Sequence, residues 1–222
     1  MKKIYTLIAV LFLFAVTQVN AQTRFGVNAG LNYSTWKGDA VGSLNDLFEF
    51  SNGMINTQPK AGLFAGGFAE MPLGAGISIQ PGVYYSQKGY SMRGEIGGDK
   101  IDFLNAGARA DLTSHYIDIP VVFKAEVAKG LQVFAGPQLS YLVKSNLKMD
   151  AGLLGISLFK TNIDVTDNFN KADWGITGGV GYSFDNGFSI NAAYDHGLSR
   201  VDKNSTFESF NRNFKVGVGF RF

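Results

Sequence analysis

A chain of 222 residues that is 45% apolar, 14% aromatic and only 17% charged, with 28 glycines, has the make-up of a strand-rich domain with many tight turns. A formal net charge of +2 without a long basic run gives no electrostatic footprint for nucleic acid. With no cysteine at all, disulfides, thiolate metal sites, cysteine nucleophiles and a lipid-modified amino-terminal cysteine are excluded.

The amino terminus reads as a targeting signal: Lys2 and Lys3, an apolar core over residues 4–16, and Val19-Asn20-Ala21 as a small-residue cleavage site. The apolar run falls short of the roughly 20 residues a membrane helix needs. Residues 1–21 are therefore expected to be a signal peptide, and residues 22–222 a single exported domain with no transmembrane helix.

Residues 24–34 alternate strictly, with Phe25, Val27, Ala29, Leu31 and Tyr33 against Gly26, Asn28, Gly30, Asn32 and Ser34. Such period-two patterning marks a strand with one apolar and one polar face. A polar connection over residues 35–58 contains Leu44, Leu47 and Phe48 at helical spacing, which predicts a short helix. Residues 59–72 form a second strand, whose faces are blurred by mixed glycines and phenylalanines, and residues 73–76 a tight turn. The third strand places Ile77, Ile79, Pro81, Val83 and Tyr85 against Ser78, Gln80, Gly82, Tyr84, Ser86 and Lys88.

After a connection over residues 91–112, Ile117, Ile119, Val121 and Phe123 alternate with Tyr116, Asp118, Pro120, Val122 and Lys124. Ala128-Lys129-Gly130 turns the chain into a fifth strand, residues 131–145. The third long connection, residues 146–171, holds an apolar piece at 153–159 that either extends a hairpin past the membrane or forms a lid. A further hairpin there would raise the strand count. Trp174, Ile176, Val180 and Tyr182 alternate with Asp173, Gly175, Thr177 and Gly179, and Asp185-Asn186-Gly187 signals a tight hairpin. Phe188, Ile190, Ala192 and Tyr194 then oppose Ser189, Asn191, Ala193 and Asp195. A fourth long connection, residues 198–211, leads to a closing strand with Phe214, Val216, Val218, Phe220 and Phe222 on one face.

Eight strands thus alternate long and short connections. The strands run about 10–14 residues, long for soluble sheets but suited to a tilted span. An apolar edge as long as the closing strand needs a partner, which barrel closure supplies. The expected fold is all-β: an eight-stranded antiparallel up-and-down transmembrane β-barrel in a Gram-negative outer membrane, with both termini periplasmic.

Two further expectations concern the faces. Tyr33, Trp36, Tyr90, Tyr116, Trp174 and Tyr194 are expected near the outer lipid boundary, and Phe25, Phe184, Phe188, Phe220 and Phe222 near the inner one. Inward glycines (Gly26, Gly30, Gly82, Gly136, Gly175, Gly179, Gly217 and Gly219) make room in a narrow lumen. Inward Asp118, Lys124, Glu126, Lys144, Asp173, Asp195, Lys215 and Arg221 are expected to pair into a plug. Pro120, with no amide hydrogen, demands a gap or bulge in its ladder.

Residues 114–126, SHYIDIPVVFKAE, resemble the fourth strand of the PorT-like outer-membrane β-barrel proteins, often called porin-family proteins. That strand is usually Tyr-x-Glu-Ile-Pro, then apolar residues and a lysine; Tyr116, Ile119, Pro120 and Lys124 match, with Asp118 in place of the glutamate. Gly30-Leu31-Asn32, Ile79-Gln80-Pro81, Tyr85-Ser86-Gln87-Lys88-Gly89, Ala135-Gly136-Pro137, Tyr182-Ser183-Phe184 and Tyr194 with Gly197-Leu198 extend the likeness in order along the mature chain. The resemblance implies the barrel rather than an activity.

Few residues suggest chemistry. His115 and His196 fall near outer strand ends, and Asp195-His196 near Ser199 is similar to the acid–histidine–serine sets of rim enzymes. Neighbours on a strand point to opposite faces, so Asp195 cannot readily orient His196. The run from Gly175 to Gly181 lies inside a strand with no helix after it and fails as a phosphate loop. Asp99, Asp102, Asp111, Asp164 and Asp167 match no calcium-site spacing. No catalytic, cofactor or metal residue is assigned, and no enzyme activity is expected. The expected function is structural or surface-interacting through the outer loops. The alternative is a small porin for ions or polar solutes, with a rim acyltransferase or hydrolase and a soluble lipocalin-like binder ranking below. The expected partners are outer-membrane lipid and the barrel-insertion machinery, reached through the closing strand ending at Phe222. The chain is expected to be monomeric, without nucleic acid or cofactor.

Overall fold

The computed structural model describes residues 23–37, 55–96, 106–153, 156–203 and 209–222. The signal-peptide segment, the helical spacing around Leu44, and Asp99 and Asp102 lie outside the described residues.

Among the described residues nine strands form one antiparallel sheet: β1 (Arg24–Lys37), β2 (Ile55–Gly74), β3 (Ile77–Ile96), β4 (Ala106–Ala128), β5 (Leu131–Leu153), β6 (Ile156–Asp164), β7 (Ala172–Ser183), β8 (Phe188–Gly197) and β9 (Phe210–Arg221). Eight of them close a ring. Each of β1 to β5 pairs with the next, β5 pairs with β7, and β7, β8 and β9 lead back to β1. Closure runs from Gly26↔Arg221 to Lys37↔Phe210, so the long apolar edge of β9 is fully paired. The ninth strand, β6, stands outside the ring and pairs only with the outer part of β5, from Asn146↔Asp164 to Leu153↔Ile156. The piece at 153–159 therefore belongs to an extended hairpin and not to a lid.

Alternation decides the faces. Val27, Leu31, Tyr33, Val83, Trp174, Ile176, Val180, Ile190, Val216 and Val218 are outward and exposed, whereas Asn32, Ser86, Asp118, Ser140, Asp195 and Asn213 are inward and buried. This is a soluble domain turned inside out, with an apolar belt outside and a polar core. In β2 the faces resolve with Leu63 outward and Phe64 inward, the latter only 5% exposed. Phe64 occupies the room left by two glycines: a Cβ on Gly30 or on Gly217 would collide with its ring.

Three turns join strands at the end where both described termini lie. Gly74-Ala75-Gly76 turns β2 into β3, with all three residues at positive φ. The β7–β8 turn is the tight hairpin expected at Asp185-Asn186-Gly187, and its loop has three residues. The Gly187 amide donates to the Phe184 carbonyl at 3.1 Å, placing Asp185 and Asn186 at the centre and Gly187, at φ 89°, after them. This is the three-residue alternative, with glycine in the left-handed position.

Two ladder irregularities matter. Pro120 leaves a gap against β3, where pairing lapses between Pro81↔Val121 and Tyr84↔Asp118 without a change of register. In β5 a bulge at Val143 separates His115↔Lys144 from Tyr116↔Leu142. The extra residue reverses the facing of everything beyond it. Lys144, expected inside the lumen, is exposed on the outer surface instead, and Ser145 takes the inward place.

Candidate functional site: a plugged lumen beneath a raised outer sheet

The interior of the ring is layered. At mid-barrel Lys88 Nζ (β3) donates to Asp118 Oδ1 (β4) at 2.8 Å and to Ser140 Oγ (β5) at 2.9 Å. Lys215 Nζ (β9) lies 3.2 Å from Asp118 Oδ2 and 2.6 Å from Asp195 Oδ2 (β8). The chain Lys88–Asp118–Lys215–Asp195 therefore ties β3 and β4 to β8 and β9 across the lumen. Gln138 Nε2 joins it, donating to Ser140 Oγ at 3.3 Å and Asp195 Oδ2 at 3.4 Å. Asp118 is fully buried. Such a charge is tolerable in low dielectric only because cations hold both of its oxygens.

Above the plug the lumen turns aromatic. Trp36 stacks on Tyr90 with centroids 5.8 Å apart and lies edge-on to Phe169 at 5.7 Å. Its Nε1 donates to Asn211 Oδ1 at 3.0 Å. Tyr116 is 2% exposed and carries the Lys88 ammonium over its ring. Leu112, Leu142 and Val201 are buried in the same upper part. Trp36, Tyr90 and Tyr116 are thus not members of an outer lipid girdle: all three sit at inward positions and cap the lumen. Tyr33, Trp174 and Tyr194 do face outward, as do Phe25, Phe184, Phe188, Phe220 and Phe222 at the other end. The cap is closed from above by backbone: the Asn170 amide donates to the Val201 carbonyl at 2.9 Å, and Phe169 bridges Asp202.

Below the plug, a cavity of about 790 Å³, counted with the open solvent at its mouth, runs from Lys215 past Phe64 and Asn191 to Ser183 and Ser189. At the turn end Glu70 accepts from Lys124 Nζ and from Arg221 Nη1, both at 3.2 Å. Glu70 and Lys88 escaped the sequence reading as plug members, although their inward parity was available for both strands once the faces were known. Glu126, expected in the plug, is exposed; its Oε1 instead accepts from the Gly130 amide at 3.0 Å and fastens the β4–β5 turn.

The chemistry candidates do not converge. His115 Nδ1 is 2.6 Å from the Tyr85 hydroxyl, with the two rings stacked on the outer surface. His196 packs edge-on to Tyr194, Asp195 faces the lumen and Lys215, and Ser199 Oγ accepts from the Trp174 amide at 2.9 Å. Asp111 is held by Ser91 Oγ at 2.6 Å and Arg109 Nε at 2.7 Å. The Thr166 hydroxyl and amide both donate to Asp164, which holds that exposed carboxyl below the usual carboxylate range. Among the described residues no three histidine, cysteine or acidic side chains gather as metal ligands.

Outside the ring's own span, the sheet continues. β2 to β5 run 20, 20, 23 and 23 residues, against 14, 12, 10 and 12 for β1, β7, β8 and β9. A hydrophobic span takes about 9–11 residues of tilted strand. The surplus lies at the end opposite the short turns, where β2, β3, β4, β5 and β6 form a five-stranded wall. Among the described residues, β2 has no β1 partner beyond Ser34↔Lys60, and no strand pairs with the second edge of β6.

This architecture agrees with the family comparison: residues 18–203 match the model of the outer membrane protein beta-barrel domain, and the chain belongs to that family. It is an all-β outer-membrane barrel of Gram-negative type, seated in the lipid bilayer. Solved structures with similarity to it include Neisserial surface protein A, with 13% identity, 89% of this chain and 97% of that chain covered, and a TM-score of 0.47. Ail, the attachment invasion locus protein of Yersinia pestis, gives 11% identity, coverage of 90% and 98%, and a TM-score of 0.46. OprG from Pseudomonas aeruginosa gives 10% identity, coverage of 91% and 96%, and a TM-score of 0.41. No functionally curated protein matches the chain.

Proposed function

We propose that this chain is a non-enzymatic surface-interaction protein, in which a closed barrel serves as the anchor and the raised sheet β2–β6 as the working part. The observation that carries this is the division of labour along the strands. Within the membrane the interior is filled by a paired-charge plug and an aromatic cap, whereas four strands and the hairpin strand β6 continue outward as an ordered sheet. Eight residues of β5 beyond the ring, paired with β6, extend the wall by roughly 25 Å at about 3.3 Å per residue. An unpaired strand edge is a template on which another chain adds by main-chain hydrogen bonds.

In this reading the barrel is monomeric, its termini and short turns face the periplasm, residues 1–21 are the export signal, and the closing strand ending at Phe222 is the segment the insertion machinery reads. The Tyr116, Ile119, Pro120 and Lys124 pattern supports a place in the PorT-like branch. A small porin is the second reading, supported by the cavity below the plug, which opens at the turn end.

The test replaces residues 148–163 by a short turn. Because β6 takes no part in ring closure, the variant should still migrate faster unheated than boiled on gels. Cells displaying it should lose adherence to immobilised extracellular proteins that cells with the intact chain retain. Equal adherence by both would remove the raised hairpin from the function.

A further inference from the structure

Between the plug and the cap lies a second, smaller pocket, about 210 Å³ counted with the open space at its mouth and with room for about one water-sized sphere, lined among others by Lys88, Ser140, Asp173, Asp195, Asn211 and Asn213. Three acceptor oxygens buried beside it have no hydrogen-bond donor: Asp173 Oδ1, Asp195 Oδ1 and Asn213 Oδ1. Their residues are 5%, 4% and 1% exposed. The opposite atoms of the same groups are well occupied. Asp173 Oδ2 accepts from Asn211 Nδ2 at 2.7 Å, and Asp195 Oδ2 accepts from Lys215, Gln138 and Asn213. What is left over is therefore purely accepting.

The charges are also out of balance. Asp118, Asp173 and Asp195 face the two ammonium groups of Lys88 and Lys215, and Asp173 is in salt-bridge contact with neither. By formal count one negative charge remains in this buried group. The spare cation of the Glu70–Lys124–Arg221 group does not neutralise it, since that group lies at the opposite, open end of the lower cavity, with the Arg221 side chain 25% exposed to water.

We propose that this void is a binding site for one monovalent metal cation, sodium or potassium, coordinated by Asp173 Oδ1, Asp195 Oδ1 and Asn213 Oδ1. A single water can donate to only two of three acceptors, whereas a cation takes all three and cancels the unpaired charge. A divalent ion would leave the group with a net positive charge. The bound ion links β7, β8 and β9, and the Lys88 ammonium on the same void stays turned to Asp118 and Ser140.

The proposal is tested on the full-length barrel purified in detergent and stripped into choline chloride. At constant ionic strength, replacing choline by sodium or potassium should raise the temperature at which the fast gel band disappears, to a plateau. In Asp173→Asn, where the unpaired charge is gone, the same exchange should move that temperature by no more than the scatter between repeats. Wild-type crystals soaked in thallium(I) should show an anomalous peak between the three oxygens, a readout that does not depend on any variant folding. A wild type indifferent to sodium and potassium, an empty thallium map, or an infrared protonated-carboxyl band that Asp173→Asn abolishes would each overturn it. The last of these would mean that a proton carries the charge instead.

Discussion

Asp118 has no exposed surface, and each of its oxygens is held by a different lysine. Removing such a group leaves the buried Lys88 ammonium without a carboxylate and Lys215 with Asp195 alone, which is the costly way to break an ion pair. Asp118→Ala should therefore destabilise the barrel by about 3–5 kcal/mol in urea titrations of the detergent-folded protein. A loss below about 1 kcal/mol, the size of an exposed pair, would mean that water reaches the lysines. At Gly187 the constraint is backbone: φ is 89°, and a Cβ would sit 2.6 Å from the Arg221 carbonyl oxygen. Gly187→Ala should cost on the order of 1–2 kcal/mol by the same titration, since left-handed geometry alone costs an L-residue about that much. At this scale the sequence spoke unevenly. It revealed that Asp118 and Lys215 point inward, but not that they meet, because their contact joins strands 97 positions apart. It misplaced Trp36, Tyr90 and Tyr116 because an aromatic near a strand end suits a lipid boundary as well as a lumen cap.

The strands carry the pattern more reliably than single residues do, since each alternation is read several times over. β1, β3, β7, β8 and β9 face as their sequences require, and a substitution that violates the pattern has a predictable sign. Val218 is 61% exposed on the lipid belt of β9. Val218→Arg should cost roughly 2–4 kcal/mol if the residue lies near the midplane. Ser183→Asn, at an inward position close to the turn, should cost little. Equal losses from refolding titrations of the two would reverse the facing of β7 and β9. Where alternation failed, the cause is local: Val143 adds one residue and turns Lys144 outward beside His115. Nothing in the composition of residues 142–145 marks that bulge. In β2 the faces were ambiguous because Phe64 is inward only by virtue of glycines on β1 and β9, a complementarity invisible within the strand itself.

At the scale of the whole barrel, two barriers stand in series on one path. The aromatic cap of Trp36, Tyr90 and Phe169 closes the end opposite the short turns, and the Lys88–Asp118–Lys215–Asp195 chain closes the middle; the cavity beneath is open to water. Flow through barriers in series is governed by the tighter one, so opening either alone leaves the path shut. In planar bilayers the wild type is expected to give no steady conductance. Trp36→Ser combined with Tyr90→Ser should be equally silent, because the ionic chain remains. Lys88→Ser, Asp118→Ser and Lys215→Ser together should be silent too, because the cap remains. That triple change removes two ammonium groups and one carboxylate as a set, so it avoids the stranded Lys88 ammonium that makes Asp118→Ala expensive, although Asp195 loses its partner and some stability goes with it. Only the five-fold variant, with both barriers gone, should conduct. Its current should favour cations, since Asp173 and Asp195 then line the passage unopposed. A steady wild-type conductance would instead make the small-porin reading the better one, with the cavity under the plug as part of its route.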